Sequence, residues 1–241
     1  MTQIYDGIVS SGQRWSTNLT PPGMFGTNKG VIELSAIPPL NLEKRLEYLI
    51  QYPHGCIEQT TSSVFPQLYL NTLCELTQSK KAEIQNNILA ALDRLRGFQV
   101  SNGGFSYWPG DGEACEWGST YAGHFLVEAS NSGYSLPIGM LDRWKQYQKN
   151  QARNWSDNNR YNDDLMQAYR LYTLALAKSP ELSAMNRLKE SKTLSIVARW
   201  QLAAAYQIVG QPEVAKQLVK NQPTTVERYR ELWYTYGSSD R

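Results

Sequence analysis

Residues 45–70 read RLEYLIQYPHGCIEQTTSSVFPQLYL, with a cysteine placed three positions before a glutamine at the predicted start of a helix. Residues i and i+3 face the same side of a helical turn, so Cys56 and Gln59 are expected to be neighbours. Pro53 ends the preceding helix, and Gly55 can adopt backbone angles that other residues avoid. A packed core requires no such pair, so the stretch indicates chemistry.

The chemistry that this spacing favours is an internal thioester. The Cys56 thiol can attack the Gln59 side-chain amide, expel ammonia and leave an activated acyl group, provided that the two side chains are held close. Most single cysteines are core residues, but three cysteines would produce Cys-x-Glu-Gln by chance in only about one per cent of sequences of ordinary composition.

An activated acyl group must be kept from water, and aromatic side chains can do this. The segment of residues 98–121 is rich in glycine and aromatic residues, so we expect Tyr107, Trp108 and Trp117 to form a shield over the thioester. A second interpretation, compatible with the first, is that these residues and Phe105 cap the hydrophobic core at the ends of the helices.

The chain as a whole is predicted to be helical after about residue 41, because apolar residues recur with a helical period. Short turn-forming segments separate the helices, which favours an array of antiparallel hairpins; periodicity alone leaves a bundle, an open solenoid and a closed toroid as alternatives. The predicted helices cover residues 42–52, 84–98, 120–130, 137–151, 163–178, 193–209 and 212–220, and one helix begins at Cys56. Residues 1–40 instead contain glycines, prolines and one β-type run at residues 30–37.

Composition excludes several classes of function. The 24 basic and 22 acidic residues give a net charge of +2, which favours neither a nucleic-acid partner nor an anionic membrane. The sequence contains no apolar run long enough to span a bilayer and no signal segment at Met1. The three cysteines are too few and too irregularly spaced for a disulfide framework or a zinc site, and we expect neither a metal nor an organic cofactor.

The quoted stretch resembles the thioester region of the α2-macroglobulin and complement superfamily, whose Pro-x-Gly-Cys-x-Glu-Gln core opens a helix. Its bacterial branch is most similar, because it continues with Phe-Pro, here Phe65 and Pro66. GGFSYW and STYAGHFLVEA, within residues 103–129, also resemble that branch. The resemblance covers residues 28 to 241 and implies an all-α fold, an α/α toroid of helical hairpins.

This resemblance implies a domain organisation and a role. Residues 1–38 would be the end of a preceding β-rich (CUB-like) segment, and residues 39–241 a thioester toroid that is incomplete at its C-terminus. The function implied is a protease trap: after bait cleavage, the acyl group captures lysine amines of the attacking protease once, without turnover. Other domains of the full-length protein would be partners, and its location would be the periplasm, the cell surface or the extracellular space.

The histidines and acids depart from part of this family. In some complement proteins a downstream histidine attacks the thioester first and directs it to hydroxyls, but residues 158–169 contain no histidine. We therefore predict direct aminolysis, with Asn162, Asp163 or Asp164 in the equivalent place or serving as helix N-caps. Glu58 is expected to support the turn by hydrogen bonds, His54 could assist proton transfer, and His124 is expected to be a packed or hydrogen-bonded residue.

Two further classes of function stay open. One is an enzyme on the same helical ring, either an acyltransferase or hydrolase using Cys56 with His54 or His124, or a cyclase. The former needs a histidine within hydrogen-bond reach of Cys56 and has no need of Gln59; the latter needs clustered acids, for which only Asp163 and Asp164 are candidates. The other is an interaction scaffold without a formed thioester.

Overall fold

The computed structural model describes residues 3–5, 7–24, 26–30, 32, 34, 49–73, 75–157, 163–192 and 194–223. The chain divides into two compact units, Met1–Leu42 and Glu43–Arg241. In the described part of the first unit the residues are exposed and form turns, bends and segments without regular secondary structure. The predicted strand at residues 30–37 and the predicted helix at residues 42–52 fall largely outside the described residues, and the domain boundary near residue 38 stays a prediction.

The second unit is helical, which confirms the predicted fold class. Among the residues described, no strand is present, and Gln99 and Phe105 form an isolated antiparallel bridge. The helices are α1 (Ile57–Val64), α2 (Leu70–Leu73), α3 (Gln78–Arg94), α4 (Glu116–Asn131), α5 (Met140–Asn154), α6 (Asp163–Leu176), α7 (Leu182–Lys189), α8 (Ile196–Ile208) and α9 (Pro212–Val219), with 3₁₀ turns at Pro66–Tyr69 and Leu95–Gly97.

Two series of helices build this unit. Helices α1, α4, α6 and α8 contact one another in that order, and α3, α5, α7 and α9 each pack against a member of the first series. This alternation of two series of helices occurs in α/α toroids and in open α-solenoids, and it argues against a simple bundle. Helix α1, which follows the cysteine, is therefore an inner helix at one end of the series.

Most helices agree with their predicted positions, but α7 was not predicted and is a correction. It lies between the turn at residues 177–180 and α8, where the sequence pattern predicted a connection. Its amphipathic face is short, with Ala184, Met185 and Leu188 buried against the core of the second half of the unit. Eight residues supply only two turns of periodic signal, which is too little to distinguish a helix from a loop.

The segment between α3 and α4 is well ordered by its own hydrogen bonds. The Val100 N–H donates to the Gly104 carbonyl at 2.9 Å, and the Ser106 N–H donates to the Phe98 carbonyl at 2.8 Å. These bonds form a tight hairpin whose Phe105 side chain is fully buried. The hairpin thereby carries residues 105–107 to the start of α1.

Candidate functional site

Cys56 lies at the N-cap of α1 and is buried, with 3% of its surface exposed. Its backbone is extended, at φ −72° and ψ 177°, so the chain turns into the helix immediately after it. The next residue is fixed from outside the helix, because the Ile57 N–H donates to the Tyr107 carbonyl at 3.0 Å. The hairpin after α3 therefore sets the position of the cysteine.

The side chain of Gln59 folds back over the turn before the helix. Its Oε1 accepts a hydrogen bond of 3.0 Å from the Cys56 backbone N–H. A Cβ at Gly55 would lie 2.8 Å from Gln59 Cδ, and the Gly55 backbone has a φ of +81°, so this fold-back depends on glycine. The predicted proximity of Cys56 and Gln59 is thus present, although Gln59 is exposed.

Arg94 holds the same turn and was missed by the sequence reasoning. Its Nη2 donates to the Gly55 carbonyl at 2.8 Å, and its Nε donates to Thr60 Oγ1 at 3.2 Å. The guanidinium also lies 5.6 Å from the centre of the Phe98 ring. An arginine four residues before a phenylalanine at a helix end can indicate such a stacked contact, but its reach to Gly55 depends on the tertiary fold.

Tyr107 is the predicted shield residue that reaches Cys56. Interaction with the Cys56 side chain raises the pKa of the Tyr107 hydroxyl above its ordinary value, with smaller contributions from burial, Glu58 and Cys115. The other two members of the predicted shield are placed differently. Trp108 stands edge-on to Tyr107 at 5.6 Å with 51% of its surface exposed, whereas Trp117 packs at 4.8 Å against Tyr121.

The remaining residues of the Pro-His-Gly-Cys-Ile-Glu-Gln motif occupy distinct environments. Pro53 is buried, and the exposed His54 ring is hydrogen-bonded through Nδ1 to the Tyr52 carbonyl at 2.9 Å. Glu58 is exposed in the first turn of α1, where an acidic side chain interacts favourably with the positive end of the helix dipole. The roles assigned to these three residues stay predictions.

His124 is confirmed as a packed and hydrogen-bonded residue. Its Nδ1 lies 3.0 Å from the Tyr169 hydroxyl, and its ring meets Phe65 edge-on at 4.9 Å. Burial lowers the pKa of His124, while the carboxylate of Glu128, 3.9 Å from Nε2, acts in the opposite direction. Neither histidine ring is thus bonded to Cys56.

Asp163 and Asp164 lie within the first turn of α6, so they are helix residues and not N-caps for a helix starting near Leu165. The Asp164 carboxylate accepts a 2.7 Å hydrogen bond from the Ser195 N–H, which links α6 to the start of α8. Asn162 lies outside the described residues.

Two features are absent from the described ranges of the chain. No group of three or more histidine, cysteine, aspartate or glutamate side chains there could hold a metal ion. Within the same ranges, no helix is both long enough and apolar enough to cross a membrane.

The helical array and the Cys-x-Glu-Gln pair at the start of an inner helix agree with the macroglobulin resemblance of the sequence. The family model described as the A-macroglobulin TED domain matches residues 33–155, about half of the chain, and the chain belongs to this family. It is 28% identical over 257 residues to an α2-macroglobulin of Escherichia coli strain K12, covering 100% of this chain and 16% of that relative. An α2-macroglobulin of Thermotoga maritima is 30% identical over 129 residues, which are 52% of this chain and 8% of that protein.

Solved structures agree with these sequence matches. A crystal structure of Salmonella α2-macroglobulin reacted with methylamine superposes with a TM-score of 0.65 and 28% identity, over 80% of this chain and 14% of that one. A crystal structure of native Escherichia coli α2-macroglobulin, from its domain MG7 to the C-terminus, superposes with a TM-score of 0.62 and 26% identity. The match covers 76% of this chain and 30% of that one. The chain thus spans a minor part of each relative.

Proposed function

We propose that this chain is the thioester domain of a bacterial α2-macroglobulin-like protease trap, in which Cys56 and Gln59 form a single-use internal thioester. The observation that carries the proposal is the 3.0 Å hydrogen bond from the Cys56 N–H to Gln59 Oε1, because it holds the acyl group at the cysteine. Family membership supports the inhibitor role, and the reaction of the Salmonella relative with methylamine supports an amine-sensitive site.

The geometry supplies a reason for ring closure. When the Cys56 sulfur attacks Gln59 Cδ, negative charge develops on Oε1, which already accepts the Cys56 N–H at the positive end of α1. Fixed donors placed where charge develops stabilise such tetrahedral states. Collapse of the tetrahedral state breaks the Cδ–N bond and expels ammonia, which carries off the thiol proton, and the C–S bond remains.

Capture is the second half of the same chemistry. A lysine amine of the target attacks Gln59 Cδ, the C–S bond breaks, and an amide joins the target to Gln59 while the amine proton passes to sulfur. The leaving group is the Cys56 thiolate, and the Tyr107 hydroxyl can donate a hydrogen bond to it. Since residues 158–169 contain no histidine, amines are expected to be preferred over hydroxyls.

The enzyme alternatives have less support in the described residues. The His54 ring is bonded to the Tyr52 carbonyl and the His124 ring to Tyr169, so neither is placed as a base for Cys56. Asp164 is one of the two candidate acids of a cyclase, and its carboxylate already accepts a hydrogen bond from the Ser195 N–H. An interaction scaffold without a thioester would have the full sequence mass and would not react with methylamine.

Because the chain spans about a sixth of its Escherichia coli relative, the trap itself is tested on the full-length protein. Incubation with an endopeptidase should give a covalent adduct that survives boiling in detergent and reductant. The adduct should be absent from the Gln59→Ala variant and reduced by prior treatment with methylamine. An adduct of equal yield in Gln59→Ala would contradict the proposal. The periplasmic or cell-surface location and the partner domains also belong to this proposal.

A further inference from the structure

Cys115 is a second free thiol beside the proposed thioester, and the role described above does not use it. It is half-buried at the N-cap of α4, where its sulfur accepts a 3.4 Å hydrogen bond from the Gly118 N–H. The two free thiols of the described residues, Cys56 and Cys115, therefore lie at the starts of two neighbouring inner helices, α1 and α4.

One short segment of chain holds both helix starts. The Cys115 N–H donates to the Phe105 carbonyl at 2.8 Å, and the Ile57 N–H donates to the Tyr107 carbonyl at 3.0 Å. These two carbonyls belong to residues only two positions apart, so adjacent points of one segment hold the starts of α1 and α4. A disulfide between Cys56 and Cys115 requires their Cα atoms to come within about 4.4–6.8 Å of each other.

Side-chain contacts place the Cys115 sulfur on the face of α4 that meets α1. A Cβ built on Gly118 would lie 3.4 Å from Cys115 Sγ and 2.6 Å from the Ile57 Cγ2 methyl, so sulfur and methyl flank the same point. Tyr107 is close to both helix starts, since its carbonyl accepts the Ile57 N–H of α1 and it lines the same cavity as Cys115.

A small reagent can reach this place from solution. A shallow cavity of about 460 Å³ opens there, lined by Tyr107, Asp111, Gly112, Glu113, Ala114 and Cys115. It ends against the Cys115 side chain and the tyrosine that contacts Cys56.

We propose that Cys115 is the partner thiol of Cys56, and that the two form a disulfide when Cys56 carries no acyl group. This inference gives a later step to the proposed function, but the disulfide itself requires no thioester. The oxidant is a small-molecule disulfide, RSSR. The Cys56 thiolate attacks one sulfur and expels RS⁻; the Cys115 thiolate then attacks the Cys56 sulfur and expels the second RS⁻.

The consequence follows from the use of one sulfur atom in two bonds. The thioester and the disulfide both require Cys56 Sγ, so they exclude each other. After capture, the disulfide removes the thiol that could otherwise attack the new Gln59 amide by the reverse of the capture reaction. Before ring closure, the same disulfide would prevent the thioester from forming.

The test uses oxidised glutathione as the probe on a Cys74→Ser background, so that Cys56 and Cys115 are the remaining cysteines. Protein opened with methylamine should become about 2 Da lighter than its reduced form and yield a peptide pair linked through Cys56 and Cys115. The Cys115→Ser variant keeps a residue type that caps helices well. In this variant Cys56 should instead form a mixed disulfide with one glutathione, which adds about 305 Da.

Gln59→Ala separates this proposal from the thioester, because no acyl bond can form in it and its Cys56 is always free. The same disulfide should form there. Glutathione on both Cys56 and Cys115, with no linked peptide in either the opened protein or Gln59→Ala, would overturn the proposal. If the thioester alone does not form, the wild-type chain will keep its full sequence mass. The disulfide in Gln59→Ala should still form in that case.

Discussion

The backbone N–H of Cys56 donates a 3.0 Å hydrogen bond to the side-chain oxygen of Gln59. This bond folds the glutamine back over Gly55 and places its amide carbon beside the cysteine at the start of α1. The buried cysteine, the Gln59 side-chain amide and the N-terminus of α1 are thus neighbours. The proposed function depends on this relationship between the two residues.

Gly55→Ala should abolish thioester formation. The added Cβ meets the Gln59 side chain, so the glutamine cannot fold back over the turn. Gly210→Ala is the matched control, because Gly210 has a φ of +79° against +81° for Gly55 and has nothing within 4 Å of the Cβ position. Both variants should lose about 1 kcal/mol of unfolding free energy through the strained backbone. Intact mass should distinguish the two variants, because only Gly210→Ala should form the thioester. Thioester formation in Gly55→Ala at the wild-type level would contradict the role given to the folded-back glutamine.

Arg94→Ala should destabilise the turn that precedes Cys56. It leaves the Gly55 carbonyl and the Thr60 hydroxyl without their donor, at a cost of about 1–3 kcal/mol, and slows ring closure. The control is Arg96→Ala, whose exposed ion pair with Asp93 should contribute less than about 0.5 kcal/mol. Chemical denaturation and the rate of mass change measure the two effects, and equal behaviour of the two variants would remove Arg94 from the site.

Tyr107→Phe should slow aminolysis about fivefold, since the departing Cys56 thiolate loses a hydrogen-bond donor. Hydrolysis in the absence of amine should rise in Tyr107→Ala, which removes the ring as well. Tyr121→Phe is a control, because that hydroxyl bonds Ser62 at 3.2 Å. Rates of methylamine uptake are followed by mass; an unchanged rate in Tyr107→Phe would limit the tyrosine to a steric role.

His124 should make stability depend on pH. Burial lowers its folded-state pKa below the ordinary 6.5, so the unfolded chain binds the proton more readily than the folded protein does. The stabilising contribution is therefore present above about pH 6.5 and is lost as the pH falls through the folded-state pKa, at up to about 1.4 kcal/mol per pH unit. His124→Phe should flatten this part of the profile of unfolding free energy against pH, and an unchanged profile in that variant would contradict the prediction.

The helical class and the central pair could be predicted from the residues because their signals are local, whereas the toroid was implied by the family resemblance. Long inner and outer helices repeat their apolar residues over several turns, and the spacing of Cys56 and Gln59 is a property of one helical turn. The pair of bonds from Arg94 to the turn could not be predicted, since it joins residues 34 and 39 positions apart. Helix α7 was too short to give a periodic signal. Cys115 becomes notable only when the Phe105–Tyr107 segment joins the start of its helix to the start of α1.

The central claim is that Cys56 and Gln59 form a thioester, and intact mass tests it most directly. The wild-type chain should be about 17 Da lighter than its sequence mass through loss of ammonia, and methylamine should then add about 31 Da to it. Gln59→Ala and Cys56→Ser should have their full sequence masses and take up no methylamine. A wild-type chain at its full sequence mass, unchanged by methylamine in both the isolated domain and the full-length protein, would contradict the account.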